Sequence, residues 1–170
     1  MDGRISRAQM YLEMARSASK RATCHRLNVG AIVTHQNSPV SVGWNGAEAG
    51  APHCAGNDCP GIVPGNCGTL HAEANALKKA ATLLDVGSVV DLYVTHSPCG
   101  DCSLLIQNHS LHVGRIFFEI PYRSTHHLGM FSMQYIDQDN LSAMRKTEVY
   151  EVTPAGYIVE YFTRRVVELP

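Results

Sequence analysis

Five residues in two short motifs have the types and spacing of a metal site that does chemistry. His71 and Glu73 form an H-x-E motif, while Pro98, Cys99 and Cys102 form a P-C-x-x-C motif further along the chain. One imidazole and two thiolates give zinc three protein ligands. A catalytic zinc keeps its fourth position for water, whereas a structural zinc fills it with protein. The unligated Glu73 therefore indicates metal-assisted hydrolysis in which this carboxylate is the acid and base.

Together the two motifs resemble the signature of zinc deaminases that act on nucleobases. Zinc lowers the pKa of its water toward about 7. We expect Glu73 to take that water's proton and pass it to the ring nitrogen next to the attacked carbon, before the amino group leaves as ammonia. The alternatives are a structural site like that of zinc ribbons, or a set of core thiols. The combination of both motifs favours the deaminase.

Both motifs lie at the starts of predicted helices. Good helix formers predict one helix over 70–84 with Thr69 as its N-cap, which places the H-x-E motif in its first turn. A second helix is predicted over 98–110, with Ser97 as N-cap and Pro98 at its first position. The first turn of a helix favours thiolate over thiol. We therefore expect two helix N-termini to converge on one cation.

Apolar periodicity and turn residues predict the elements that must position these helices. They comprise a helix over 6–20, a hairpin of strands over 29–33 and 40–44, strands over 89–95 and 115–119, and a terminal hairpin over 149–152 and 157–161. This order indicates an α/β fold with a central mixed sheet and helices packed on its faces.

Length and composition indicate one ordinary globular domain over residues 1–170. The chain is 45% hydrophobic and 17% charged. It has no long apolar run and no apolar signal region at its start, so we expect a cytoplasmic protein with no membrane partner. The net charge is −1, and the one basic cluster could hold a single phosphate group but is thin for a nucleic acid. That cluster comprises Arg16, Lys20, Arg21 and Arg26.

The chain resembles the deoxycytidylate (dCMP) deaminases of the cytidine deaminase superfamily. The resemblance rests on R-x-x-V-G-A over 26–31, G-W-N-G over 43–46, H-A-E-A-N-A over 71–76, S-P-C-G-D-C over 97–102, and Tyr122. It implies a three-layer cytidine-deaminase-like fold with a core over about 5–122 and a C-terminal extension over about 123–170. It also implies conversion of dCMP to dUMP and ammonia with catalytic zinc, which supplies dUMP for thymidylate synthesis.

The resemblance further implies six substrate-binding residues. They are Arg26 and Asn28 near the 5′-phosphate, Asn45 at the sugar or phosphate, Ala72 and Ser97 holding the base through their backbones, and Tyr122 beside the ribose. Each has a simpler alternative: Asn45 as a turn residue, Tyr122 as a core aromatic, and Arg26 as a solvated charge. Members of the family are usually oligomers, often hexamers, and many respond to dCTP and dTTP. We therefore expect a homo-oligomer, with any effector near the 43–54 loop.

The four cysteines outside the C-x-x-C motif suggest a second metal. Cys24, Cys54, Cys59 and Cys67 could form a complete tetrahedral zinc site, with His53 as a possible replacement for one of them. Such a site would order the polar loop that leads into the H-x-E motif. The resemblance supports ligands at the positions of Cys24 and Cys54. The alternative is four reduced thiols, since disulfides are rare in a reducing compartment.

Two other functions compete with dCMP deamination. A polynucleotide deaminase acting on tRNA or single-stranded DNA would need a basic groove and aromatic stacking platforms, and neither stands out in the sequence. A non-catalytic, zinc-stabilised accessory domain for DNA uptake would keep the metal ligands but would not need Glu73. Release of ammonia from a free nucleotide separates both rivals from the prediction.

Overall fold

The computed structural model describes residues 3–24, 26–54, 68–132 and 146–169. In chain order the elements are α1 (Arg7–Ser19), β1 (Gly30–His35), β2 (Ser38–Trp44), α2 (Ala72–Ala80), β3 (Val89–His96), α3 (Gly100–Gln107), β4 (His112–Ile120), a 3-10 turn (His126–Leu128), α4 (Gly129–Ser132), β5 (Glu148–Val152), β6 (Ile158–Glu160) and β7 (Val166–Val167). None of the helices in these ranges has the length and apolar character that a bilayer crossing demands.

All seven strands form one mixed sheet in the order β2-β1-β3-β4-β5-β6-β7. β3 pairs in parallel with β4, and β4 with β5, whereas the other neighbours are antiparallel. Parallel neighbours need a crossover connection, and α3 lies on the crossover between β3 and β4. The carboxyl ends of β3 and β4 therefore meet at one edge of the sheet, where open α/β sheets place their ligand sites.

Helices cover both faces of the sheet, which confirms the predicted three-layer α/β fold. Successive β1 residues point to opposite faces: Ile32 packs in the cluster with α1, while Ala31 and Val33 pack in the cluster with α2 and α3. The α1 cluster also buries an aromatic row that crosses three strands. Its members are Tyr93, Phe117 and Tyr150.

A glycine in β2 lets α2 approach the sheet closely. A Cβ added to Gly43 would lie 2.3 Å from the Ala72 carbonyl oxygen and 2.6 Å from the Ala76 nitrogen. Both distances are shorter than any ordinary carbon contact, so the helix can hold this position only against a glycine. Gly43 belongs to the G-W-N-G motif, and its contact sets where the first turn of α2 lies.

The N-terminus of α2 differs from the prediction. We expected a helix over 70–84 capped by Thr69, but α2 spans Ala72–Ala80 and its N-cap is His71, with extended backbone angles. Leu70 forms an antiparallel bridge with Gly46, with N···O distances of 3.1 and 2.9 Å. This extended pairing holds Leu70 outside the helix, so the helix begins later and the metal-ligand candidate lies at its cap.

The N-terminus of α3 also differs. We expected Ser97 as N-cap and Pro98 in the first turn, but α3 spans Gly100–Gln107 and its N-cap is Cys99. The Cys99 Sγ accepts a hydrogen bond from the Cys102 N–H at 3.5 Å, which fills the capping role. The Ser97 hydroxyl oxygen instead accepts from the Tyr122 N–H at 2.7 Å. Ser97 therefore joins the end of β3 to the segment that follows β4.

The segment beyond residue 122 continues the same sheet. β5 and β6 form the predicted terminal hairpin, and β5 adds to β4 in parallel. β7, which the sequence analysis did not predict, pairs with β6. Leu128 is fully buried in the core on the α2 and α3 face, with Phe131 beside it. These contacts make the C-terminal region part of the central layer.

Candidate active site

The H-x-E and C-x-x-C motifs meet where the N-termini of α2 and α3 converge. The ligand atoms of His71, Cys99 and Cys102 all lie within 4.8 Å of one another. The His71 Nδ1 is 3.4 Å from the Cys99 Sγ and 3.2 Å from the Cys102 Sγ. Among the residues that the structure describes, this is the one cluster of three such side chains.

The spacing of these three atoms fits a zinc ion. Zinc bonds of about 2.3 Å to sulfur and about 2.0 Å to nitrogen place tetrahedral ligand atoms about 3.5 Å apart. The two sulfur–nitrogen distances in the cluster are 3.4 and 3.2 Å. Two soft thiolates and one imidazole are also a donor set that suits zinc. His71, Cys99 and Cys102 would therefore hold the metal with a ligand position left over.

Hydrogen bonds among His71, Cys99 and Cys102 shift the pKa values of all three side chains. A hydrogen bond from Cys102 and another from His71 lower the pKa of the Cys99 thiol to about 3. The bond to Cys99 in turn raises the pKa of His71 to about 9. The hydrogen bond between Cys102 and Cys99 raises the pKa of the Cys102 thiol, as does burial. A bound metal needs neutral imidazole and two thiolates, so zinc binding here releases protons.

Glu73 lies beside this cluster in the first turn of α2. Its side chain is only 4% exposed. Burial is the main cause of a raised pKa for the Glu73 carboxyl, and the charge of His71 opposes that shift. A carboxyl with a raised pKa holds a proton more readily, which suits a group that accepts and returns a proton during a reaction. The site thus combines three side chains that could hold a metal with a neighbouring buried carboxyl.

A cleft of about 270 Å³ opens onto the cluster. Its volume lies close to the lower end of the range for small-molecule sites, about 300 Å³. The described lining is Cys24, Arg26, Leu27, Val29, Asn45, Thr69, His71, Ala72, Glu73, His96, Ser97, Cys99, Pro121, Tyr122 and Arg123. Among the described lining residues Glu73 is the one acidic residue, and it is buried. Arg26 and Arg123 are the two arginines, and both are exposed. The accessible charge therefore favours an anionic ligand.

Five of the six residues assigned to substrate binding line this cleft. They are Arg26, Asn45, Ala72, Ser97 and Tyr122. Asn28 is exposed and is not among the lining residues. Tyr122 is 37% exposed, so it is a wall residue of the cleft and not a core aromatic.

The Asn45 side chain holds the loop before β1. Its amide nitrogen donates to the Leu27 carbonyl at 2.6 Å, and its amide oxygen accepts from the Val29 N–H at 2.8 Å. Leu27 and Val29 also line the cleft, so Asn45 shapes the wall that carries Arg26.

The basic cluster noted in the sequence is dispersed in the structure. Arg16 forms ion pairs with Glu13 and Glu119, and the Arg21 guanidinium lies 5.6 Å from the centre of the Trp44 ring. Of the four basic residues, Arg26 lines the cleft. The two arginines of the described cleft lining are Arg26 and Arg123, which are far apart in the sequence.

Two of the cysteines assigned to a second metal lie within the described residues. Cys24 is buried and lines the cleft, and Cys54 is half-buried. Cys59 and Cys67 lie outside the described residues. The second site therefore stays a prediction.

Comparison with known proteins decides the family. The model described as "Cytidine and deoxycytidylate deaminase zinc-binding region" matches residues 5–119. The chain belongs to this deaminase family. The match contains the H-x-E and P-C-x-x-C motifs, so the predicted resemblance to the cytidine and deoxycytidylate deaminases is confirmed.

Several curated relatives support the family assignment. Deoxycytidylate deaminase of Mycobacterium phage D29 is 39% identical over 111 residues, which cover 58% of this chain and 84% of the relative. ComE operon protein 2 of Bacillus subtilis is 35% identical over 99 residues, covering 58% of this chain. Deoxycytidylate deaminase of Schizosaccharomyces pombe is 31% identical over 145 residues, and the match covers 76% of this chain. The matches span 52% of the Bacillus protein and 44% of the yeast protein, about half of their lengths.

A solved structure has the same fold at comparable identity. The dCMP deaminase of cyanophage S-TIM5, crystallised with dCMP and dUMP, is 30% identical with a TM-score of 0.58. The match covers 83% of this chain and 94% of the phage chain. It extends beyond the residues matched by the family model, which agrees with a C-terminal region built into the sheet.

The sequence analysis missed several residues that line the cleft. Thr69 and His96 precede the two metal-ligand motifs, and Pro121 and Arg123 follow β4. A usable signal was present, because residues at the carboxyl ends of adjacent parallel strands share one edge of the sheet. Applied to β3 and β4, this rule points to His96 and to the segment after residue 120.

Proposed function

We propose that the protein deaminates dCMP hydrolytically to dUMP and ammonia, with zinc held by His71, Cys99 and Cys102. The observation that carries this proposal is a buried carboxyl, Glu73, beside three converging ligand atoms in a cleft with exposed arginines. The names of the phage D29 and yeast relatives support dCMP as the substrate. So does the S-TIM5 enzyme, which was crystallised with dCMP and dUMP.

Zinc at this site would supply a Lewis acid that makes water a nucleophile near neutral pH. Glu73 takes a proton from the attacking water and delivers it to the pyrimidine ring nitrogen beside the reacting carbon. The same carboxyl then takes the second proton of that water from the hydroxyl now bonded to the reacting carbon and passes it to the amino group. The carbon–nitrogen bond breaks, ammonia leaves, and the hydroxyl oxygen becomes the carbonyl oxygen of uracil. Burial of Glu73 favours its protonated form, which suits a group that must hold a proton between two transfers.

The remaining cleft residues orient the nucleotide. The backbones of Ala72 and Ser97 hold the base. Ser97 is fixed by its own N–H, which donates to the Ile120 carbonyl at 2.9 Å. Arg26 and Arg123 supply the positive charge for the 5′-phosphate, and Tyr122 lies beside the ribose.

Two further residues belong to the proposed substrate site. Asn45 holds the wall that carries Arg26 and contacts the sugar or phosphate. Asn28, which follows Arg26 closely in the chain, stays a predicted phosphate contact.

The family resemblance supports finer features of the proposal. The protein is a cytoplasmic homo-oligomer, with a hexamer favoured, that supplies dUMP for thymidylate synthesis, and dCTP and dTTP are its candidate effectors. A second zinc is held by Cys24, Cys54, Cys59 and Cys67. Elemental analysis of the purified protein tests this site directly, because two zinc ions per chain support it and one contradicts it.

One assay tests the proposed reaction. Purified protein is incubated separately with dCMP, CMP, deoxycytidine, dCTP and a cytosine-containing oligonucleotide, and products are identified by mass. We expect dUMP and ammonia from dCMP, and no product from Glu73→Ala. Turnover of the oligonucleotide alone would support a polynucleotide deaminase. Zinc-loaded protein that converts none of these compounds would support a non-catalytic domain.

A further inference from the structure

A histidine outside the catalytic motifs contacts the backbone of the metal-ligand loop. The Nε2 atom of His127 lies 2.5 Å from the carbonyl oxygen of Pro98. A carbonyl can only accept a hydrogen bond, so the His127 ring donates through Nε2. The two residues are 29 positions apart in the chain, so this contact exists only in the folded protein.

The bonded carbonyl belongs to the peptide that leads into the ligand Cys99. Cys99 is the N-cap of α3, and the N–H groups of Cys102 and Ser103 bond to its own sulfur and carbonyl oxygen. The Pro98 carbonyl, one residue earlier, receives its bond from His127. The orientation of the Pro98–Cys99 peptide sets the direction of the Cys99 side chain, so a donor that holds this peptide also holds the ligand.

His127 is itself held in place by the core. The next residue, Leu128, is fully buried, and its N–H donates to the Thr125 carbonyl at 3.0 Å. The neighbouring His126 is exposed and bonds to the nearby Ser124 hydroxyl. The rings of the two adjacent histidines touch edge to face, with centroids 5.3 Å apart, and it is the His127 ring that contacts the metal-ligand loop.

We propose that His127 is a positioning residue that holds the Pro98–Cys99 peptide, aims the Cys99 sulfur at the metal and slows zinc release. The proposal rests on the zinc site of the proposed function. Groups that orient metal ligands from the second layer typically contribute about 10- to 100-fold to metal affinity. His127 acts on Cys99 indirectly, through the Pro98–Cys99 peptide. We therefore expect a change in metal affinity near the lower end of this range, about 10-fold.

Matched variants separate the hydrogen bond from the bulk of the side chain. Gln and Met are similar in length and unbranched, but only Gln carries a donor N–H near the position of the histidine Nε2. His127→Met should release zinc to a chromogenic chelator about 10-fold faster than wild type. His127→Gln should recover most of the wild-type rate. His112→Met is the control and should behave like wild type, because the His112 ring bonds a backbone carbonyl, that of Lys146, at the other end of β4.

Equal rates of zinc release from His127→Met and His127→Gln would overturn the proposal. So would a His112→Met variant that releases zinc as fast as His127→Met. His127→Phe serves as the donor-free variant should His127→Met not fold. The charge-transfer band of the cobalt-substituted proteins gives a second readout, and it should shift in the donor-free variant alone. Turnover of dCMP is measured in parallel. Its absence in zinc-loaded wild type would contradict the proposed function, while the comparison of release rates would still judge His127.

Discussion

At the scale of single residues, His71 and Glu73 show how one short motif yields two different roles. His71 is the N-cap of α2, with extended backbone, and its ring meets Cys99 and Cys102. Glu73 is two residues further, inside the first turn, where burial raises the pKa of its carboxyl. The change from extended to helical backbone between them aims the His71 ring at the two thiols and keeps the Glu73 carboxyl beside them.

Glu73→Gln should abolish most of the activity while the metal stays bound. The amide keeps the shape of the side chain but cannot accept and return a proton, and such proton transfer contributes about 10²- to 10⁴-fold to a rate. We expect dCMP turnover to fall by that order, with zinc content unchanged by elemental analysis. Glu168→Gln, at an exposed carboxylate, is the control. A Gln variant that lost zinc in proportion to activity would place Glu73 among the ligands.

At the scale of elements, the site depends on how closely α2 approaches β2. The Ala72 carbonyl and Ala76 nitrogen crowd the Cα of Gly43, and the Ser41 hydroxyl donates to the Ala76 carbonyl at 2.7 Å. These contacts fix the first turn of α2 and hence the position of the H-x-E motif. Helix placement, and not helix propensity, brings His71 to the two thiols.

Gly43→Ala should destabilise the fold and disturb the site together. The added Cβ would lie 2.3 Å from the Ala72 carbonyl oxygen, so α2 must shift. Overpacking of this kind costs about 1–3 kcal/mol, measurable by urea denaturation of the zinc-loaded protein. Gly129→Ala is the matched control, because a Cβ there meets no atom within 4 Å. Equal free energies of unfolding for Gly43→Ala and wild type would refute the close-packing argument.

At the scale of the whole molecule, the sheet is joined by an aromatic row buried under α1. Tyr93 and Phe117 stack with ring centroids 4.6 Å apart, and Phe117 and Tyr150 with centroids 5.0 Å apart. These residues link β3, β4 and β5, so the row connects the deaminase motifs to the C-terminal strands. Burial is the main cause that raises the pKa of Tyr93 to about 12 and that of Tyr150 to about 12.

The buried tyrosines should make the free energy of unfolding fall as pH rises from about 10 to 12. An unfolded tyrosine ionises near about 10, so in this window the unfolded state binds fewer protons than the native state. For Tyr93 the loss approaches about 1.4 kcal/mol per pH unit. Urea denaturation at pH 9, 10 and 11 should show a smaller decline for Tyr93→Phe. The control Tyr157→Phe, 61% exposed, should follow wild type. An identical fall in the free energy of unfolding for all three proteins would contradict the raised pKa of Tyr93.

Much of the fold was predictable because its signals are local. Ser6 caps α1 as the start of the predicted first helix, and the alternation of Ala31, Ile32 and Val33 belongs to a strand buried on both faces. The first residues of α2 and α3 were not predictable from local signals. The bridge between Leu70 and Gly46 shortens α2, and no pattern within the helix itself encodes a pairing across 24 positions.

The sequence by itself determined the chemistry: an imidazole, two thiolates and a separate carboxylate, at spacings that suit one zinc and one proton carrier. These are properties of residue type and short-range geometry, which a chain carries before it folds. Only the tertiary structure decided that Arg123 joins Arg26 in the cleft wall, that Cys24 lines the same cleft, and that His127 reaches the Pro98 carbonyl. The positions of Arg123 and His127 depend on parallel pairing of β3 with β4, which brings the segment after β4 to the edge of the sheet where the C-x-x-C motif lies. Cys24 reaches the same cleft from the segment between α1 and β1.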